Sequence, residues 1–190
     1  MEHRVKQRLT RDDWVREALE VLEDRGVDGV KVVLIAKRLG VTSGSFYWHF
    51  KGLRDLLDGL LDYWEHELTD AIADAALAFK GTPEARILDL MLRVIDEDAA
   101  AADHAISVWA RSAPIARETF DRTLRKRFEF ARWMFEEAGF GDRQAGMRGR
   151  LMMAYLMGES MTDLKSTENW RAIVQDQFEI LTNPITKRQR

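Results

Sequence analysis

Apolar residues along this chain recur at spacings of three and four, which is the period of an amphipathic α-helix. No segment combines clean apolar and polar alternation with flanking hairpin turns. The three prolines, at positions 83, 114 and 184, fall between apolar stripes, as expected at helix boundaries. The pattern predicts an all-α protein of about nine helices.

Start and stop residues give the helix bounds. Thr10 with Asp13 three positions later has the spacing of a capping box, and Gly26 ends the first helix. The predicted helices run over Thr10–Gly26, Val32–Leu39, Ser43–Phe50, Leu53–Ala78, Glu84–Ala102, a short segment around Ile106 and Trp109, Ala116–Ala138, Arg143–Lys165 and Glu168–Leu181.

The segment from residue 31 to residue 57 predicts two short helices around a tight turn. Gly40 suits the left-handed conformation of a sharp turn, and the hydroxyl of Thr42 is placed to cap the next helix. Phe46 and Phe50, four residues apart, share one face and are predicted to enter the core.

The opposite face combines small polar residues with exposed aromatic rings and an imidazole. Such a face suits a surface that meets a partner, and recognition helices contact bases with their N-terminal residues and the backbone with their flanks. Lys37, Arg38, Lys51 and Arg54 flank the face and can neutralise phosphates. The face consists of Thr42, Ser43, Gly44, Tyr47, Trp48 and His49.

The pattern IA..LGVT.G.FY.HF.....LL, from Ile35 to Leu57, resembles the DNA-binding signature of the TetR (tetracycline-repressor-like) family. The resemblance implies a homodimer whose recognition helices enter two successive major grooves of a double-stranded operator. It also implies that residues 42–44 open the recognition helix and that residues 47–49 contact phosphates and base edges.

This sequence departs from the family pattern at two positions. Lys31 stands where Ser or Thr often caps the second helix, so a cap is lost and a cation is gained. Leu53 stands where a lysine often contacts phosphate, so that contact is either lost or shifted to the neighbouring Arg54. The predicted domains are a helix-turn-helix head, residues 1–54, and an effector-binding and dimerising body, residues 55–190.

Charge is distributed as this division requires. Residues 1–54 carry 11 Lys and Arg against 8 Asp and Glu, whereas residues 55–190 carry 18 against 24. The head is basic and the body acidic, the asymmetry expected if only the head meets phosphate. The N-terminus has no apolar run and no window reaches membrane-spanning length, so we expect a cytoplasmic protein without membrane contact.

Catalytic and metal chemistry find little support in the sequence. The absence of cysteine excludes disulfides and thiolate ligands, and no two of His3, His49, His66 and His104 lie four residues apart. We therefore predict no catalytic residue, no metal and no cofactor.

The basic run 122–127 favours a solvated helix face over a second nucleic-acid patch. An all-helical enzyme and a helical protein-interaction module remain as alternatives, and salt-dependent operator binding would exclude both.

Large apolar residues in the body predict two further sites. A plastic pocket for a lipophilic or aromatic effector is predicted from Trp64, Leu68, Met91, Ile95, Trp109, Phe128, Met152 and Tyr155. A dimer interface on the last two long helices is predicted from Met147, Leu151, Ala154, Gly158, Met161, Trp170, Val174, Phe178 and Leu181. The expected function is a transcriptional repressor that an effector releases from its operator.

Overall fold

The structure, a computed structural model, describes residues 9–97, 101–159, 161–162 and 164–183. The chain forms two compact units, a head unit (Met1–Glu65) and a body unit (His66–Arg190). The predicted boundary after residue 54 falls short of the observed one, because the buried side chains of Leu56, Leu60 and Leu61 continue the head along its fourth helix.

The head unit contains four α-helices: α1 (Arg11–Arg25), α2 (Val32–Arg38), α3 (Ser43–Phe46) and α4 (Leu53–Asp62). The predicted capping box is confirmed, since Thr10 Oγ1 accepts from the backbone N–H of Asp13 while the Asp13 carboxylate accepts from Thr10 N–H. Gly26 ends α1 with a positive φ of 68°, which favours glycine.

The predicted helix Leu53–Ala78 is interrupted. A π-helical segment, Tyr63–Leu68, follows α4 and leads into α5 (Thr69–Ala78). The π-helical segment spans the boundary between the two units along the chain. This interruption splits one predicted helix in two, so the described residues contain ten α-helical segments.

The body unit has α5 and five further helices around one apolar core. Its core contains Ile87, Met91, Phe135 and Met152, and the described residues contain no strand, which confirms the all-α prediction. The further helices are α6 (Pro83–Asp96), α7 (Ala101–Ala110), α8 (Pro114–Glu137), α9 (Asp142–Glu159) and α10 (Trp170–Thr182).

Two predicted helices were too long. The prediction Glu84–Ala102 joins α6 to the start of α7, and residues 98–100 lie outside the described residues. The prediction Arg143–Lys165 continues beyond the end of α9 at Glu159 into a 3₁₀ turn, Leu164–Ser166. The sequence pattern remains typical of a helix beyond the ends of α6 and α9. Local propensity therefore did not reveal where these two helices end.

Helices α8 and α9 pack closely because of a glycine. A Cβ on Gly149 would lie 3.0 Å from the backbone nitrogen of Arg132 and 3.1 Å from the carbonyl carbon of Ala131. A Cβ there would require the α8 backbone to shift by a few tenths of an ångström.

Among the described residues, no helix combines the length and the apolar character needed to cross a lipid bilayer.

Candidate nucleic-acid interface and body cavity

The turn between α2 and α3 is a Schellman motif. Gly40 adopts a φ of +69°, the Val41 N–H donates to Ala36 O at 2.9 Å, and the Gly40 N–H donates to Lys37 O at 3.2 Å. These two bonds satisfy carbonyls at the end of α2 and turn the chain sharply. The predicted role of Gly40 is therefore confirmed.

The first turn of α3 differs from the prediction in its cap. Thr42 has the extended backbone of an N-cap residue, but its side chain makes no capping hydrogen bond. Ser45 N–H instead donates to the Thr42 carbonyl at 3.0 Å. The hydroxyl of Thr42 thus lies at the exposed start of the helix without a structural role in capping.

Phe46 and Phe50 lie in the head core, as predicted. The Phe46 ring stacks on Phe50 with centroids 5.1 Å apart and meets Trp14 edge-on at 5.4 Å. Burial of these rings turns the following residues outward, so Tyr47 is 67% exposed and Trp48 is 83% exposed. Two large aromatic side chains this exposed on one short turn are typical of a surface that meets a partner.

The structure brings the sequence-predicted residues of this surface together. Gly44 and Thr42 are exposed, and Ser43 and His49 are half-buried beside them. We call Thr42, Ser43, Gly44, Tyr47, Trp48 and His49 the recognition surface. Helix α3 ends at Phe46 rather than at Phe50, and hydrogen bonds between residues three apart continue it as a tight turn through His49.

Arg11 holds the end of the recognition surface in place, which the sequence did not reveal. Its guanidinium donates to the carbonyl of His49 at 2.9 Å and lies 4.2 Å from the ring centroid of Phe50. Its other nitrogen donates to Asp55 Oδ1 at 2.9 Å. Arg11 lies 38 residues from His49, so only the tertiary fold makes this contact visible.

Basic residues around the recognition surface differ in their surroundings. Lys31, Lys37, Lys51 and Arg54 are exposed, and Lys31 makes no side-chain cap on α2, as its identity predicted. Arg54 approaches Asp58 at 3.8 Å, a weak exposed pair. Arg38 contacts Glu17 and Asp24, both at 3.1 Å, so its guanidinium takes part in ion pairs within the head.

The body unit contains a cavity of about 140 Å³ with mostly apolar walls. Two of the predicted pocket residues, Leu68 and Met152, line it. Its lining comprises Leu68, Thr69, Ile72, Ala73, Leu90, Val94, Asp103, Lys126, Arg127, Phe130, Ala131, Met152, Met153, Leu156 and Met157.

The other predicted pocket residues lie elsewhere, which corrects the prediction. Met91, Ile95 and Trp109 are buried in the body unit but do not line the cavity, and Phe128 lies beneath the Arg150 guanidinium at 5.5 Å. Trp64 is fully buried and belongs to the head unit. Apolar periodicity identifies core positions but does not separate a close-packed core from a cavity wall.

Tyr155, also predicted to line the pocket, is a half-buried residue outside the cavity wall. Its hydroxyl is buried and meets no hydrogen-bond partner among the described residues. Burial, with a smaller contribution from Glu159, raises the pKa of Tyr155 to about 12. The phenol therefore stays protonated at neutral pH.

One end of the cavity is polar. Arg127 donates to Thr69 Oγ1 through Nε at 3.2 Å and through Nη2 at 2.7 Å, and Nη1 donates to Asp103 Oδ2 at 2.5 Å. Asp103 is only 5% exposed. The basic run 122–127 is thus not wholly a solvated face. Arg127 lies three residues after Leu124 and four before Ala131, a spacing that could have indicated its inward position.

The residues predicted for the dimer interface fall into two groups, one exposed and one largely buried. On α9 and beyond it, Leu151 is 53% exposed and Met161 is 71% exposed. Met147, Ala154 and Gly158 are exposed as well. We call Met147, Leu151, Ala154, Gly158 and Met161 the exposed α9 strip.

The interface residues predicted on α10 are not exposed in this way, which corrects that part of the prediction. Trp170, Val174 and Leu181 belong to the body core, and Phe178 packs against it half-buried. These side chains attach α10 to its own unit, because their apolar surface is already covered within the chain.

No group of three or more His, Asp or Glu side chains that could hold a metal occurs among the described residues; His3 lies outside them.

Residues 15–60 match the family model described as "Bacterial regulatory proteins, tetR family". This N-terminal part of the chain therefore resembles the DNA-binding domain of the TetR family. The matched residues include the whole turn from α2 to α3 and the recognition surface, so the TetR resemblance inferred from Ile35 to Leu57 is confirmed.

Individual TetR relatives agree with this assignment. The class C tetracycline repressor of Escherichia coli is 46% identical over 55 residues, which are 29% of this chain and 25% of that repressor. The match therefore spans about a quarter of the relative's length. It concerns the DNA-binding part and leaves the body to structural comparison.

Solved structures share the fold over about nine-tenths of the chain. A transcriptional regulator from Rhodococcus sp. Rha1 superposes with a TM-score of 0.70 at 20% identity, covering 91% of this chain and 96% of that one. The transcriptional regulator FadR from Bacillus subtilis, in complex with stearoyl-CoA, gives a TM-score of 0.67 at 17% identity, covering 93% and 100%. At these identities the likeness establishes the TetR-type fold alone.

Proposed function

We propose that this chain is a transcriptional repressor that binds a specific double-stranded operator as a homodimer and is released by a small lipophilic or aromatic effector. The observation that carries the proposal is the recognition surface. It presents two exposed aromatic rings within a segment that matches the TetR family.

Operator binding follows from the chemistry of this surface. The small residues Ser43 and Gly44 let the start of α3 approach base edges, and Tyr47, Trp48 and His49 contact phosphates and bases. Exposed cations around them, Lys31, Lys51 and Arg54, neutralise phosphates and make the affinity salt-dependent.

Dimerisation is proposed to use the exposed α9 strip. Gly158 and Ala154 are four residues apart, and a Cβ on Gly158 would meet no atom within 4 Å, so a partner helix can approach closely there. Leu151, Met147 and Met161 supply apolar area on the same strip. A two-fold axis through it would bring two copies of the strip together.

Effector control is proposed to use the body cavity. Its mostly apolar walls suit a lipophilic molecule, and by its description the Bacillus subtilis FadR structure holds stearoyl-CoA. Leu68 is the last residue of the π-helical segment that links the two units along the chain, and it lines the cavity together with the next residue, Thr69. An effector that favours one conformation of this link would shift the DNA affinity.

Fluorescence anisotropy with labelled DNA from the region flanking the protein's own gene tests the proposal. The wild type should bind one fragment with an affinity that falls as salt rises. Tyr47→Ala and His49→Ala should each weaken that binding by about tenfold or more, since a direct contact is worth about 1–3 kcal/mol.

The matched control is His104→Ala, which removes an exposed imidazole from the body unit. It should bind DNA like the wild type. If Tyr47→Ala and His49→Ala bind as tightly as His104→Ala, the recognition surface does not read the operator.

A further inference from the structure

We propose that the body cavity takes a small monocarboxylic acid, and that Arg127 and Lys126 receive its carboxylate. The inference rests on the proposed effector role of the cavity and adds the chemical class of the ligand. The two cations occupy successive positions on α8, and both lie in the cavity wall.

The size of the cavity limits the apolar body of the ligand. The cavity measures about 140 Å³. A cavity of about 150 Å³ lined by apolar side chains holds benzene. Ile72, Val94, Leu156 and other apolar side chains form the walls, so an apolar body of about the size of a benzene ring fits.

The polar end of the cavity favours a ligand with a negatively charged head group. Two cations, Arg127 and Lys126, lie in the wall against one carboxylate, Asp103. A guanidinium presents planar donors that match a carboxylate, and a low local dielectric strengthens this attraction. An amine would place a third positive charge beside these two cations.

Thr69 and Asp103 fix the guanidinium in its position. The hydroxyl of Thr69 accepts from Nε and Nη2, and Asp103 accepts from Nη1, so the planar group is held before a ligand arrives. Lys126 contacts Asp70, which lies outside the cavity wall, and that pair is half-exposed. Exposed pairs are weak, so a ligand carboxylate can replace Asp70 at Lys126.

In this arrangement Asp103 limits the affinity for an acid, because its negative charge opposes that of the ligand. Its carboxylate holds Arg127 and also repels an incoming anion. Removing its charge while keeping its hydrogen-bonding shape should therefore improve the binding of an acid. The buried pair thus tunes the affinity for acids rather than serving only to stabilise the fold.

Isothermal titration calorimetry with the full chain and three probes of equal body size tests the proposal. The probes are phenylacetate, 2-phenylethanol and phenethylamine. Phenylacetate should bind about tenfold or more tightly than the alcohol, and the amine should bind least, because hydrogen bonds between charged groups exceed neutral ones.

Variants identify the residues that recognise the charge. Lys126→Gln should lower the affinity for phenylacetate by about threefold or more and leave that for 2-phenylethanol unchanged, while Asp103→Asn should raise the affinity for phenylacetate. Arg127→Met should abolish the preference for the acid. Arg125→Gln, an exposed neighbour outside the cavity wall, is the matched control and should change neither affinity.

The outcomes separate this inference from the effector role. If 2-phenylethanol binds as tightly as phenylacetate, or if Lys126→Gln and Asp103→Asn leave the preference unchanged, the acid is the wrong class while the cavity remains a binding site. If none of the probes binds although the protein binds its operator, both the acid and the effector role of this cavity are overturned. Because Lys126→Gln and Asp103→Asn leave Arg127 in place, the test does not depend on the folding of Arg127→Met.

Discussion

The guanidinium of Arg11 donates a 2.9 Å hydrogen bond to Oδ1 of Asp55, 44 residues later in the chain. The same guanidinium donates to His49 O, and Asp55 Oδ2 accepts from the Lys51 N–H at 2.9 Å. This pair therefore ties the start of α1 and the start of α4 to the backbone that ends the recognition surface. Its effect is to fix that backbone, although neither residue belongs to the recognition surface.

Asp55→Asn should lower stability at neutral pH and weaken operator binding, with the stability effect becoming smaller in acid. The backbone N–H of Lys51, and then Arg11, hold the pKa of Asp55 below its ordinary value. A lowered pKa gives stability that is present above the ordinary carboxyl pKa of about 4 and is lost as the pH falls through the folded pKa. Urea unfolding of both proteins at pH 7 and at pH 3 measures this dependence.

Asp58→Asn is the matched control, since that carboxylate contacts Arg54 at 3.8 Å on the exposed side of the same helix. If Asp55→Asn lowered the free energy of unfolding equally at pH 7 and at pH 3, the ionised carboxylate of Asp55 would not be the stabilising form.

Gly149→Ala should destabilise the body unit by about 1–3 kcal/mol, because the new Cβ would lie against the backbone of α8. The contacted atoms, Arg132 N and Ala131 C, cannot move like the end of a side chain. Gly146→Ala on the same helix is the control. Its Cβ would lie 4.0 Å from Cδ of Arg132, and removing a helical glycine should stabilise by about 0.5–1 kcal/mol. Urea unfolding that gives both variants the same sign would refute the close approach.

Arg148→Met should destabilise the chain by about 1–3 kcal/mol, because it leaves carbonyl groups unsatisfied at the end of α10. The guanidinium donates to Leu181 O and to Asn183 O, the latter at 2.6 Å, and lies 4.1 Å from the Phe140 ring centroid. Burial lowers the pKa of Arg148. The favourable end of the helix dipole compensates for the buried charge.

Thermal or urea unfolding measures that loss, with Arg125→Met as the exposed control on α8. Equal stabilities of the two variants would show that Arg148 does not cap α10.

Leu151→Glu should convert the proposed dimer into a monomer, since it places a charge in the middle of the exposed α9 strip. Sedimentation should then give the chain mass of 22.0 kDa, whereas the wild type gives twice that value. Ile180→Glu changes an equally apolar, exposed residue on α10 and should remain dimeric. A monomeric wild type, or a dimeric Leu151→Glu, would place the interface elsewhere.

The helices and the recognition surface could be predicted from the sequence because their signals are local. The capping box at Thr10, the left-handed turn at Gly40 and the four-residue spacing of Phe46 and Phe50 each involve residues at most five positions apart. Burial of the two phenylalanines then leaves Tyr47 and Trp48 exposed, as the helical period requires.

The body cavity and the extent of the exposed α9 strip were decided only by the tertiary structure. Arg127 meets Asp103 and Thr69 at separations of 24 and 58 residues, and Arg11 meets His49 at 38. The apolar stripe of α10 predicts burial equally well in its own core or against a partner, and the packing of Val174 and Leu181 selects the core. Periodicity shows which face of a helix is apolar, but the neighbour that covers this face, or the cavity left beside it, depends on packing between distant parts of the chain.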